Sequence, residues 1–205
     1  MQLFYTPNTI SMSVAIALQE AGIAHDLTLV DFSKSQQTGA DYLAINPKGR
    51  VPTLIIEGRA FTETGALLEL IASLARLKNL VPTDPLQVAQ MRSVMFYLAS
   101  TMHINHAHRI RGSRWANSKS SFDDMTAKVP ETMAASAQYV EDECLTGPFV
   151  LGDMFSVADI YLFNVCTWLE GDSVSVSNYP KITGHMAMME TRASVRKIRE
   201  LGILT

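Results

Sequence analysis

Cysteine is scarce in this chain: Cys144 and Cys166 are the only two among 205 residues, both late, with no C-x-x-C spacing. That excludes a disulfide scaffold and a zinc knuckle and leaves burial as the ordinary reading of both. No apolar run approaches the roughly 18 residues that a membrane-spanning helix requires, and the opening Met1-Gln2-Leu3 lacks the positive charge of a signal peptide. A soluble cytoplasmic protein with no membrane partner is expected. A basic excess is missing too: the net charge is −3, which argues against nucleic acid as a general partner. Acidic residues are locally absent between Pro85 and Asp123, where Arg92, Arg109, Arg111, Arg114, Lys119 and three histidines stand. That stretch predicts a carboxylate- or phosphate-bearing second ligand if it lines a cleft, or an acidic partner surface if it does not. His103, His106 and His108 have no acidic or cysteine companion in the sequence around them, so no metal site is expected.

What is present divides into two parts. With 47% hydrophobic and 18% charged residues, the chain can bury one large core or two modest ones. Gln2 to Tyr5 and Asp26 to Val30 read as strands, separated by an amphipathic helix from Ser13 to Ala21 that ends at Gly22. Thr53 to Ile56 and Arg59 to Phe61 read as a hairpin around Glu57-Gly58, closed by a helix from Thr64 to Ala75. This βαβ-ββα order is the thioredoxin-like arrangement, over residues 1–78. Pro82 and Pro85 deny helix and ladder to the segment that follows, so 79–85 reads as a linker. Periodic apolar residues from Leu86 to about Ile110, Met125 to Cys144, Ser156 to Leu169 and Tyr179 to Met189 then describe an all-helical domain over 86–205. Within it, Ser156-x-x-Asp159 has the form of a capping box, which makes Asp159 a structural residue and not a catalytic one.

The densest functional signal lies in Asn46-Pro-Lys-Gly-Arg-Val-Pro-Thr-Leu54 and in Thr62-Glu-Thr-Gly65 just before an apolar helical run. Pro52 cannot donate to a ladder, so it belongs at the mouth of the strand or in a cis turn, and the Val51 N–H and C=O are left for an extended ligand. Glu63 and Thr64 bring a carboxylate and a hydroxyl to a helix N-terminus, whose unpaired N–H groups attract a carboxylate. The expected guest is a small peptide-like molecule with a free carboxylate and an amine.

These segments, together with Met1-Gln-Leu-Phe-Tyr-Thr-Pro7, Tyr42-Leu-Ala-Ile-Asn-Pro-Lys-Gly49 and Phe155-Ser-Val-Ala-Asp-Ile-Tyr-Leu-Phe163, resemble the cytosolic glutathione transferases in order and spacing, nearest to the bacterial beta-like classes. The resemblance implies a homodimeric enzyme, with its site between the N-terminal domain and the first long helix, that conjugates glutathione thiolate to small hydrophobic, possibly anionic, electrophiles in detoxification. Glutathione would be a co-substrate, with no other cofactor. Glu63 would take the ligand's ammonium, Thr64 its carboxylate, Val51 and Pro52 its backbone, and Lys34 its glycine carboxylate. His103 aligns with a histidine that the bacterial class carries near its active site.

The family lowers a thiol pKa with a donor from the first strand or the loop after it. Where the beta class has a cysteine this chain has Ile10, so the resemblance leaves hydroxyls: Ser11 first, at the helix start, then Thr9, then Tyr5. Phe96 and Thr101 replace an asparagine and an acidic residue of the relatives, so the ligand's ammonium would rest on Glu63 alone. Ile10, Phe96, His106 and Trp115 are the expected lining for the second substrate, with Met91, Met95 and Met102 as further apolar candidates. Two other readings remain: glutathione-dependent disulfide or peroxide reduction, and a non-catalytic binding or regulatory protein on the same fold.

Overall fold

In the computed structural model, which describes residues 1–204, four strands form one mixed sheet in the order β2-β1-β3-β4. β1 (Gln2–Tyr5) runs parallel to β2 (Asp26–Leu29), joined through α1 (Ser11–Ala21), and antiparallel to β3 (Thr53–Ile56), which pairs with β4 (Arg59–Thr62). α1 stops where Gly22 takes φ 68°, a left-handed conformation open to glycine, and its N–H returns to the carbonyls of Leu18 and Gln19. Glu57 and Gly58 both have positive φ, as a two-residue hairpin needs to match strand twist. α3 (Thr64–Leu74) covers the sheet beside α1. Leu3, Val14, Ile16, Leu18, Leu54, Leu67, Leu68 and Ile71 are almost wholly buried. Truncating one of these leucines to alanine costs about 3 kcal/mol or more. The thioredoxin-like arrangement expected from the periodicity is thus present, with one addition: a short helix α2 (Ala40–Ile45) before the Asn46 turn.

The chain clusters into two compact units, Met1–Val81 with the stretch from Glu190 onward, and Pro82–Met189. Where the periodicity suggested a helical domain running to the end of the chain, the last helix α9 (Ala193–Glu200) instead packs on α1. Its apolar face, Val195 and Ile198, is fully buried. Arg192 donates from Nε and Nη2 to the two Glu20 carboxylate oxygens at 2.6 and 2.9 Å, Ser194 Oγ donates to Glu20 at 2.6 Å, and Asn8 N–H reaches the Ile203 carbonyl. Burial pushes the Glu20 carboxyl up, but the bonds from Arg192 and Ser194 outweigh it and hold the group below its ordinary value.

The second unit is helical. The expected helix from Leu86 to Ile110 is α4 (Pro85–Tyr97), a π-helical turn (Leu98–Met102) and α5 (His103–Ala107). Asp84 caps it through the Gln87 N–H at 2.9 Å, with Pro85 in the first turn where its missing N–H costs nothing. α6 (Lys119–Tyr139) follows, and its own π turn (Val140–Cys144) offers Glu141, whose two oxygens accept the N–H groups of Lys181 and Ile182 at the start of α8 (Pro180–Glu190). α7 (Val157–Cys166) is buried along its whole length. The Ser156–Asp159 box opens it: Asp159 accepts from Ser156 N–H at 2.8 Å, Ser156 Oγ at 3.0 Å and Val150 N–H at 2.8 Å, with His185 Nε2 3.3 Å away. Asp159 is structural, as its pattern implied.

Candidate functional site

The turn before β3 is braced from inside. Asn46, buried, donates from Nδ2 to the Arg50 carbonyl at 2.7 Å and to Thr53 Oγ1 at 2.9 Å, and accepts from the Lys48 N–H. Tyr42 Oη also donates to the Arg50 carbonyl at 2.7 Å, and burial pushes its phenol up. Gly49 has φ 59°, and a Cβ there would meet the Gln37 carbonyl at 2.8 Å, so this position of the Asn-Pro-Lys-Gly string admits glycine alone. The turn ends in a cis Val51–Pro52 bond. Among the described residues, neither the N–H nor the C=O of Val51 has a hydrogen-bond partner.

Glu63 follows β4 and precedes α3 with φ 72° and ψ 113°, a conformation that costs a non-glycine residue about 1–3 kcal/mol. It does not cap the helix. Its carboxylate, 72% exposed, instead meets Lys48 Nζ at 2.5 Å, and the same ammonium donates to Thr62 Oγ1 at 2.8 Å. The first turn of α3 therefore keeps its N–H groups free of any side-chain cap, with Thr64 buried at its head. Lys48 is a member of this group that the motif reading passed over; its place in the string Asn-Pro-Lys-Gly was the only signal. Lys34, in contrast, is exposed and pairs with Asp31 at 3.4 Å.

The hydroxyl candidates in and before the loop after β1 differ in what they already bond. Ser11 has no exposed surface. Its Oγ accepts from Thr6 N–H at 3.2 Å, reaches the Thr6 carbonyl at 3.1 Å, and lies 2.7 Å from Thr9 Oγ1, which itself reaches the Thr6 carbonyl at 2.7 Å. Two hydroxyl protons are shared among one carbonyl and each other, so neither Ser11 nor Thr9 has a proton left to offer a sulfur without breaking this knot. Tyr5, at the end of β1, is partly exposed, and its hydroxyl has no partner among the described residues. Ile10, 6% exposed, has a backbone N–H with no partner among the described residues, at the start of α1.

In the second unit, Met91, Met95 and Met102 are buried and belong to its core, not to a pocket wall. Phe96 is 68% exposed on α4, and Trp115 lies edge-on to His108 with ring centres 4.5 Å apart. His103 and His106 both lie against Trp168, at 5.0 and 4.3 Å, and the His106 ring is stacked on it. The acidic companion missing from the local sequence arrives from 66 residues away: Asp172, with a fully buried side chain, holds His106 Nδ1 at 2.7 Å and Arg109 Nη1 at 3.1 Å. Arg109 also donates to the Gly171 carbonyl. No group of three potential metal ligands occurs among the described residues. Both cysteines are buried, and burial pushes the Cys144 thiol up to about 11 and Cys166 higher still, so neither supplies a reactive thiolate.

The glutathione S-transferase N-terminal domain matches residues 10–74 and the C-terminal domain of the same family residues 123–187. A glutathione transferase homologue from Sulfitobacter, solved with bound glutathione, is 58% identical, covers 99% of this chain and 98% of its own, and superposes with a TM-score of 0.98. The chain belongs to the glutathione transferase family. A beta-class glutathione transferase of Sphingomonas chungbukensis is 29% identical with a TM-score of 0.86 and 98% of each chain covered. Glutathione S-transferase GstA of Escherichia coli O157:H7 is 28% identical over 199 residues, 96% of each chain. The family match embraces both the Asn46–Thr64 group and the Ser156–Asp159 box.

Proposed function

We propose that this transferase binds glutathione on its first unit and directs the thiolate at small hydrophobic electrophiles. The observation that carries the reading is Glu63: exposed, held at φ 72°, bonded to Lys48 and withheld from capping α3. A residue kept in a costly conformation, whose exposed carboxylate pairs only with an equally accessible lysine and leaves the helix start uncapped, suits a ligand. In this reading the Glu63 carboxylate takes the ligand's ammonium, the Thr64 end of α3 its γ-glutamyl carboxylate, and Val51 pairs with its backbone as one more strand would. Lys48 neutralises Glu63 until the ammonium arrives. Thr64 supplies its N–H and hydroxyl; Lys34 is left as an outlying cation for the glycine carboxylate. Tyr5 becomes the leading donor to the sulfur, assisted by the Ile10 N–H at the positive end of α1, because the hydroxyls of Ser11 and Thr9 are consumed within their loop. His103, Phe96, His106 and Trp115 are read as groups serving the second substrate.

The reading includes a cytoplasmic homodimer, which light scattering on the purified chain checks. The central test is glutathione affinity by calorimetry on wild type and Glu63→Ala. Binding at millimolar concentration or tighter, lost in the variant, supports the site; no binding by the wild type overturns it.

A further inference from the structure

Lys48 and Glu63 form a pair that a ligand's amine has to enter. Both belong to the first unit, and they differ in freedom. Glu63 is the single residue between β4 and α3: Thr62 before it is in register with Thr53, and its own carbonyl accepts the Leu67 N–H at 2.9 Å. Its backbone is pinned from both sides at φ 72°. Lys48 reaches its carboxylate from the Asn46 turn on a flexible four-carbon stem, 47% exposed, and is the only cation within ion-pair distance of Glu63 among the described residues. Its Nζ donates to Glu63 Oε1 at 2.5 Å and to Thr62 Oγ1 at 2.8 Å, whereas Oε2 has no partner among the described residues.

An ammonium arriving at Glu63 therefore comes to Oε2 beside Lys48, or to Oε1 in its place with Nζ left on Thr62. In both cases two cations compete for one carboxylate. A ligand without the amine meets no such competition, because Glu63 keeps Lys48 and its charge stays neutralised when another carboxylate approaches the open end of α3. From this geometry we infer that Lys48 is a specificity residue that stands in for the ligand's amine, and that the site also accepts γ-glutamyl-type thiols lacking the α-amino group, such as deaminated glutathione (glutaryl-cysteinylglycine). The inference rests on the transferase reading above and deepens it to the ligand class. Removing Lys48 makes the site more demanding: glutathione loses a competitor, while the deaminated ligand faces an unpaired carboxylate.

The test is calorimetry of glutathione and of its deaminated analogue on wild type, Lys48→Met, Lys48→Arg and Glu63→Ala. Wild type should prefer glutathione about 30-fold. In Lys48→Met that preference should rise by about fivefold or more, with glutathione tighter and the analogue weaker, on the scale of an exposed ion pair. Lys48→Arg restores the charge and should restore the wild-type ratio, which a merely structural role for the stem would not require. In Glu63→Ala the ratio should fall close to one. A ratio unchanged or lowered in Lys48→Met, a Lys48→Arg ratio that follows Lys48→Met, or a wild type that does not bind the analogue at all would each overturn the inference. Failure of the reading beneath it looks different: a wild type that binds neither ligand sinks the transferase reading and the inference together, whereas glutathione binding with an unmoved ratio sinks the role of Lys48 alone.

Discussion

Glu63 and Asp159 are both acids at the start of a helix, and they are treated in opposite ways. Asp159 is buried, accepts three hydrogen bonds from Ser156 and Val150, and closes the first turn of α7. Glu63 is exposed, sits in a strained conformation, makes no capping bond, and leaves the first turn of α3 open. One helix start has been completed from within the chain; the other carries no side-chain cap. The chemistry of the acid is the same, so the difference in burial and satisfaction is what separates the folding element from the one proposed to bind.

The largest break in this contrast is Asp159→Ala. It leaves three buried donors without an acceptor and removes the neighbour of His185, so a loss of about 3–5 kcal/mol is expected in urea unfolding. A loss below about 1 kcal/mol would erase the distinction. Glu63→Ala should weaken glutathione about 30-fold, equivalent to about 2 kcal/mol, while the unfolding midpoint barely moves. The effect of acid comes next, on Glu20, whose carboxyl is held below its ordinary value of 4.5 by Arg192 and Ser194. Because the folded value is the lower one, its contribution is fully present above pH 4.5 and is lost as pH falls through the folded value. Glu20→Gln should therefore cost about 1–3 kcal/mol near neutral pH, and the gap between variant and wild type should close in acid. Glu63→Gly should stabilise the chain by about 1 kcal/mol through relief of the positive φ while still losing the ligand. The smallest effect belongs to Lys48→Met: its pair with Glu63 is exposed, so unfolding should change by less than about 1 kcal/mol.

Much of this was legible in the chain. The strands, α1 with its Gly22 stop, the Glu57-Gly58 turn and the Ser156 box all have local signals, since turns and caps are decided by neighbours in sequence. Glu63 and Val51-Pro52 were legible for the same reason. The Ser11 hydroxyl was not: its type is visible in the sequence, but its engagement with Thr6 and Thr9 depends on the exact path of a loop. Asp172 escaped because it meets His106 across 66 residues, and no periodicity records such a meeting. α9 was missed because its two buried apolar residues, Val195 and Ile198, lie among Arg196, Lys197 and Arg199, which a reading for apolar runs takes as solvent-facing.

The packing of α9 on α1 has a consequence for how the protein is made. A ribosome delivers residues 1–81 early, yet this unit lacks one of its packed helices until the chain beyond Glu190 has emerged. The helical unit, Pro82–Met189, is synthesised whole before that moment. Vectorial synthesis thus reverses the order suggested by numbering: the segment written first is completed last, and throughout translation the nascent sheet carries an unfilled face on α1 that the final turns of the chain must find.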